Sequence, residues 1–129
     1  MVRSSEKTVH ERVVDCLVDR MSCDGYYSVG SNIFFTNLKY EKCPDGEFDV
    51  RGLKGDFEGK GRRYAVIVEV KQSDRSGNRR KAASQLEKCE RAIKDEYGER
   101  VRVFKIYAFS DKSLRENRPE KPYQLRWIR

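Results

Sequence analysis

The chain has 129 residues, 37% hydrophobic and 38% charged, with a formal net charge of +7. That length suits one domain, 1–129, whose core must be carried by a few strongly apolar segments. A basic chain of this kind favours phosphate polymers or anionic surfaces; no run reaches membrane-spanning length and "MVRSSEKTVHERV" has no signal-peptide core, so we expect an intracellular protein without a membrane partner.

In chain order, the first element is a helix over about residues 5–21, with Val9, Val13, Cys16, Leu17 and Met21 spaced by three and four. Ser4 or Ser5 can cap it, Glu6 suits its first turn, and Asp24 and Gly25 end it. "YYSVGSNIFF" reads as a strand kinked at Gly30, and "NLKYEKCPDG" as a polar loop. "EFDVRGL" is a short strand, joined by the glycine-rich "KGDFEGKGRR" to the strongest strand, "YAVIVEVK". The continuous apolar run of that strand implies burial on both faces.

"QSDRSGNRRK" reads as a polar, basic loop before a helix over about residues 80–97, whose stripe is Ala82, Leu86, Cys89, Ile93 and Tyr97 and whose stop is Gly98. "VRVFKIYAF" is a strand, "DKSLRENRPEKP" a loop, and "YQLRWI" an added edge strand. The order α-β-β-β-α-β-(β) implies an α/β fold: a central mixed β-sheet flanked by helices. The four cysteines contain no C-x-x-C pair, which argues against a structural zinc site. Cys16 and Cys89 fall on apolar helix faces, and spacing leaves a bridge between Cys23 and Cys43 open.

The chemistry gathers at the end of "YAVIVEVK". Side chains alternate along a strand, so Glu69 and Lys71 share a face while Val68 and Val70 take the other. Alone, this pair is as well explained by a strand end reaching water. Asp49 changes the reading, because it interrupts an apolar run between Phe48 and Val50. If the hairpin folds its strand beside the next, Asp49 meets Glu69. Two adjacent carboxylates repel unless a proton or cation lies between them. Mg2+ (or Mn2+) is a natural occupant, with the backbone carbonyl of Val70 as a further oxygen. Lys71 would orient or deprotonate an attacking water, or neutralise phosphate charge.

Asp49, a glycine- and lysine-rich turn, Glu69-Val70-Lys71 and then a helix resemble the PD-(D/E)xK nuclease superfamily, most closely the archaeal Holliday-junction resolvases and related small nucleases. The likeness runs in element order from about Val9 to Phe109. It implies a restriction-endonuclease-like fold and an Mg2+- or Mn2+-dependent endonuclease that hydrolyses DNA phosphodiesters. By the same resemblance, branched DNA is the substrate and the active form is a homodimer. The chain departs from the pattern in its long hairpin and in a literal Pro44-Asp45, a rival to Asp49 that sits in a turn-forming loop. The family adds a first-helix glutamate; here the position is open between Glu6, His10, which has the family's spacing, and Glu11, the right residue type next door. It also implies a role for Gln85, with Gln72 turned from Lys71's face.

Arg75, Arg79, Arg80 and Lys81 lie after Lys71, and Lys54, Lys60, Arg62 and Arg63 load the hairpin. Arginines at a helix start oppose its dipole and call for solvent or an anion, so both clusters are expected to track DNA phosphates beside the site. The alternatives are a non-cleaving nucleic-acid-binding module of the same fold and a protein-interaction domain.

Overall fold

The computed structural model describes residues 8–35, 46–56 and 61–128. Ser4, Ser5, Glu6, Cys43, Pro44, Asp45 and Lys60, named above, lie outside them.

Helix α1 spans Val9–Cys23 and is capped by Thr8, whose hydroxyl accepts the Glu11 N–H at 3.1 Å. It therefore starts at the first residue of the apolar stripe and later than the expected residue 5, because Thr8 satisfies a free N–H of the first turn where Ser4 and Ser5 were the expected caps. Strand β1 (Tyr27–Phe35) pairs antiparallel with β2 (Gly46–Gly55), and β2 with β3 (Arg63–Lys71). The irregularity in β1 lies between Tyr27 and Gly30, ahead of the expected kink, with Ser28 in the left-handed region at φ 50°.

Helix α2 spans Ser76–Tyr97 and starts well before the expected residue 80. The segment read as a basic loop is its first turns. The reason is local: Asn78 donates to the carbonyl and hydroxyl of Ser73, and Arg79 pairs with Asp74, so polar side chains fold the start back onto the turn. Strand β4 (Arg102–Phe109) runs parallel to β3 across this helix. A short helix α3, Lys112–Asn117, replaces the expected loop, capped by Asp111 accepting the Leu114 N–H at 2.7 Å. Strand β5 (Gln124–Ile128) closes the order as an antiparallel edge.

The result is an α/β fold with one five-stranded open mixed sheet, ordered β1-β2-β3-β4-β5. Val13, Val14, Leu17 and Met21 of α1 pack on one face with Val66, Val68, Val70 and Ile106. Leu86, Cys89 and Ile93 of α2 pack on the other with Leu53, Ala65 and Ile67. The run in β3 is thus buried on both sides, as its composition required. Cys16, Cys23 and Cys89 are free thiols, and Cys89 is buried in the α2 core. Among the described residues, no helix is long and apolar enough to cross a membrane.

Candidate active site

The site is made by a sheet that stops pairing on one side. The β2–β3 ladder runs from Gly55↔Arg63 to Val50↔Val68 and ends there. Both strands go on. Residues 46–50 of β2 stay paired with β1, while Glu69, Val70 and Lys71 stay paired with β4. Between the parted ends lies a cleft of about 440 Å³, lined by His10, Glu47, Asp49, Glu69, Val70, Lys71, Gln72 and Gln85.

A parted strand leaves backbone groups without ladder partners, and buried N–H groups must find others. The Asp49 carboxylate takes this place, accepting the Val70 N–H at 2.9 Å. The same oxygen lies 3.3 Å from His10 Nε2 on α1. Phe48, two residues before Val50, has turned into the α2-side core, so strict alternation has already broken down at this end of β2.

Glu69 is 6% exposed, and its carboxyl lies against that of Asp49. Burial, then this contact and the Asp49 charge, push the Glu69 pKa up to about 9. Burial works to raise Asp49 as well, but the hydrogen bonds from His10, Glu69 and Val70 outweigh it and hold Asp49 below the ordinary carboxylate value. The hydrogen bond to Asp49 raises the His10 pKa against the opposing effect of burial. Burial and proximity thus favour a proton on Glu69 and the charge on Asp49.

Lys71 lines the cleft half-buried and, among the described residues, its amine makes no hydrogen bond or ion pair; its charge acts on both Glu69 and His10. Gln85 reaches in from α2 and donates from Nε2 to the Glu47 carbonyl at 2.9 Å. Of the first-helix candidates, His10 enters the cleft, whereas Glu11 is exposed on the helix beside it. Gln72 also lines the cleft, because the strand ends at Lys71 and parity no longer turns it away. Glu47 was not singled out from the sequence. Its signal was its parity with Asp49 two residues on, hidden because a glutamate at a strand start looks like any solvated end.

The basic residues divide. Arg75, Arg80 and Lys81 are exposed around the start of α2, close in sequence to the Lys71 end of β3. Arg79 is committed to Asp74, at 2.7 Å through both Nε and Nη2. Arg62 and Arg63 do not flank the cleft: they sit at the far end of β3, roughly 20 Å from Glu69 at the usual strand rise. Arg63 Nη1 donates to the Tyr97 carbonyl at 3.0 Å.

Among the described residues, no cluster of three or more His, Cys, Asp or Glu groups is arranged to hold a metal ion. The donors present are two carboxyls, with the Val70 carbonyl, which by strand geometry faces the same gap as its N–H. That set fits Mg2+, which keeps several waters and takes one or two carboxylates from a protein. No protein-family model, no curated protein and no solved structure matches the chain.

Proposed function

We propose that the chain is an Mg2+- or Mn2+-dependent endonuclease of restriction-endonuclease-like fold that hydrolyses phosphodiester bonds in DNA. The observation that carries this reading is the pair of acidic side chains, Asp49 and Glu69, delivered by parted strands into a cleft that also holds Lys71. Burial and the adjacent Asp49 push the Glu69 pKa up to about 9, and a positive charge between the two carboxyls would relieve the same cost. A divalent ion meets that need better, and Asp49, Glu69 and the Val70 carbonyl would hold it. Bound there, such an ion would polarise phosphate oxygens and acidify water.

The chain's own residues do the rest. Val70 N–H and His10 fix Asp49 in one orientation, so the oxygen facing the cleft is pre-set. Hydrolysis needs a water oxygen to bond to phosphorus while an ester P–O bond breaks and the leaving oxygen takes a proton. Lys71 supplies positive charge to the phosphoryl oxygens as that charge builds, and orients the incoming water. Gln85 is tied to the backbone of β2 and holds that wall of the cleft in place. Arg75, Arg80 and Lys81 are the phosphate contacts outside the cleft; recognition through backbone and shape follows, since nothing in them encodes base readout. Branched DNA and a homodimeric active form belong to the same reading.

The test is cleavage of supercoiled plasmid, forked and four-way DNA with Mg2+ or Mn2+, comparing wild type with Glu69→Ala and Lys71→Ala. Metal-dependent cutting lost in both variants is the expected result. Wild type that binds these DNAs but cuts none would leave a binding module; no binding even at low salt would leave a protein-interaction domain.

A further inference from the structure

One hydrogen-bond network next to the cleft has no role in the chemistry above. Tyr107 of β4 is 0% exposed and stands in register with Glu69 on the neighbouring parallel strand, so the two side chains share a face. Its hydroxyl does not stay in the apolar core around it. It reaches past the end of β3 to the turn after Lys71, lying 3.2 Å from the Ser73 carbonyl and 3.2 Å from Asp74 Oδ1. The same carbonyl accepts Asn78 Nδ2 at 3.0 Å, and Asp74 accepts both Arg79 donors. The Ser110 N–H donates to the Lys71 carbonyl at 3.3 Å.

These contacts grip one short segment from two directions, β4 behind and α2 ahead. The segment begins at Lys71, which lost its β2 neighbour where the ladder parted. A strand end with one free side would fray, and a frayed Lys71 would move relative to Glu69. A lysine has a long, rotamer-rich side chain, so its backbone must be fixed before its amine can be. A hydroxyl placed in a core at the register of Glu69, and spent on the turn two residues beyond Lys71, meets that need. It also gives Arg79 a place, as the far anchor of the grip.

We propose that Tyr107 is a positioning residue: through Ser73 and Asp74 it fixes the Lys71–Gln72 edge against the Asp49–Glu69 pair, a role that rests on the nuclease reading. Removal of the hydroxyl alone loosens the edge without emptying the core.

The experiment compares Tyr107→Phe with Tyr123→Phe, a second buried tyrosine that packs in the α1-side core. Three readouts are taken on the full chain: thermal midpoint, kcat and KM on the DNA that wild type cuts, and the NMR signal of Lys71 after reductive 13C-methylation, identified by its loss in Lys71→Arg. Tyr107→Phe is expected to lower kcat by about tenfold to a hundredfold with KM little changed, and to shift or broaden the Lys71 signal. Tyr123→Phe is expected to leave both as in wild type. An unmoved Lys71 signal in Tyr107→Phe overturns the proposal whatever happens to kcat. Equal losses of kcat in the two variants also overturn it, because general destabilisation would then explain both. If wild type cuts no DNA, the nuclease reading fails separately. The Lys71 signal and amide exchange at Gln72–Asp74 then decide whether Tyr107 holds the edge.

Discussion

The two ends of β3 are built differently. At the Arg63 end the strand has neighbours on both sides, and Ala65, Ile67 and Val68 are each no more than 3% exposed. At the Lys71 end its described ladder partner is β4, and beside Val70 it buries a carboxyl, that of Glu69. What separates these halves is the loss of one ladder. A closed sheet leaves no room for a ligand between its strands. A parted one has a gap whose backbone groups need satisfying, and side chains such as Asp49 step in to do so. The apolar core is thus concentrated at one end and the titratable cleft at the other, on one continuous strand.

The largest test of that division is catalytic. Glu69→Ala and Lys71→Ala should each lower cleavage by about a hundredfold to a thousandfold, whereas Arg63→Ala at the closed end should leave cleavage within a few fold of wild type. Comparable losses in all three would erase the distinction.

The closed end should instead dominate folding. Ile67 is 1% exposed, so Ile67→Ala should cost about 2–5 kcal/mol in urea denaturation. Glu69→Gln, at the parted end, should cost nothing at pH 8 and stabilise. The sign follows from proton counts. The folded chain keeps the Glu69 proton to about pH 9, while the unfolded chain releases it near the ordinary 4.5. Between those values the unfolded state binds fewer protons, so stability falls as pH rises. His10, raised above 6.5, adds to the fall at its upper end. The depressed Asp49 acts in the opposite sense, but only below its ordinary 3.8. Thermal midpoints from pH 5 to about 9 should therefore decline in wild type and flatten in Glu69→Gln. Mg2+ should flatten the wild-type curve too, as the ion replaces the proton.

DNA affinity gives a finer contrast. Replacing Arg75, Arg80 or Lys81 by Ala should each lower the slope of log affinity against log salt by about 1. Arg62→Ala, at the closed end, should change it less. The smallest effect lies away from both ends: Thr8→Ala removes the α1 cap and should cost about 1 kcal/mol by denaturant melting, with cleavage kept.

Much of this was legible in the sequence, for physical reasons. The α1 and α2 stripes and the β3 run are burial patterns, and burial is what apolar spacing encodes. Asp49 opposite Glu69 followed from one hairpin and strand parity. What stayed hidden depends on contacts between distant residues or on single side chains. The start of α2 was masked by Ser76, Gly77 and Asn78, which look like a loop until Asn78 is seen holding Ser73. Helix α3 has only 6 residues, too few for a periodic signal, and rests on the Asp111 cap. The choice of His10 over Glu11 needed the rotation of α1 on the sheet. The distance of Arg62 and Arg63 from the cleft needed only the strand rise, but the charge clusters drew attention first.

The chain's single tryptophan, Trp127, is 65% exposed on edge strand β5, edge-on to Phe104. It shares a sheet face with Ile106 and the α1 core, whereas Glu69 faces α2. Its indole emission is therefore a natural optical probe of the wrong side of the molecule for chemistry. Ions entering the cleft should leave its colour and its acrylamide quenching unchanged, and a change in either would report an encounter at the β5 edge.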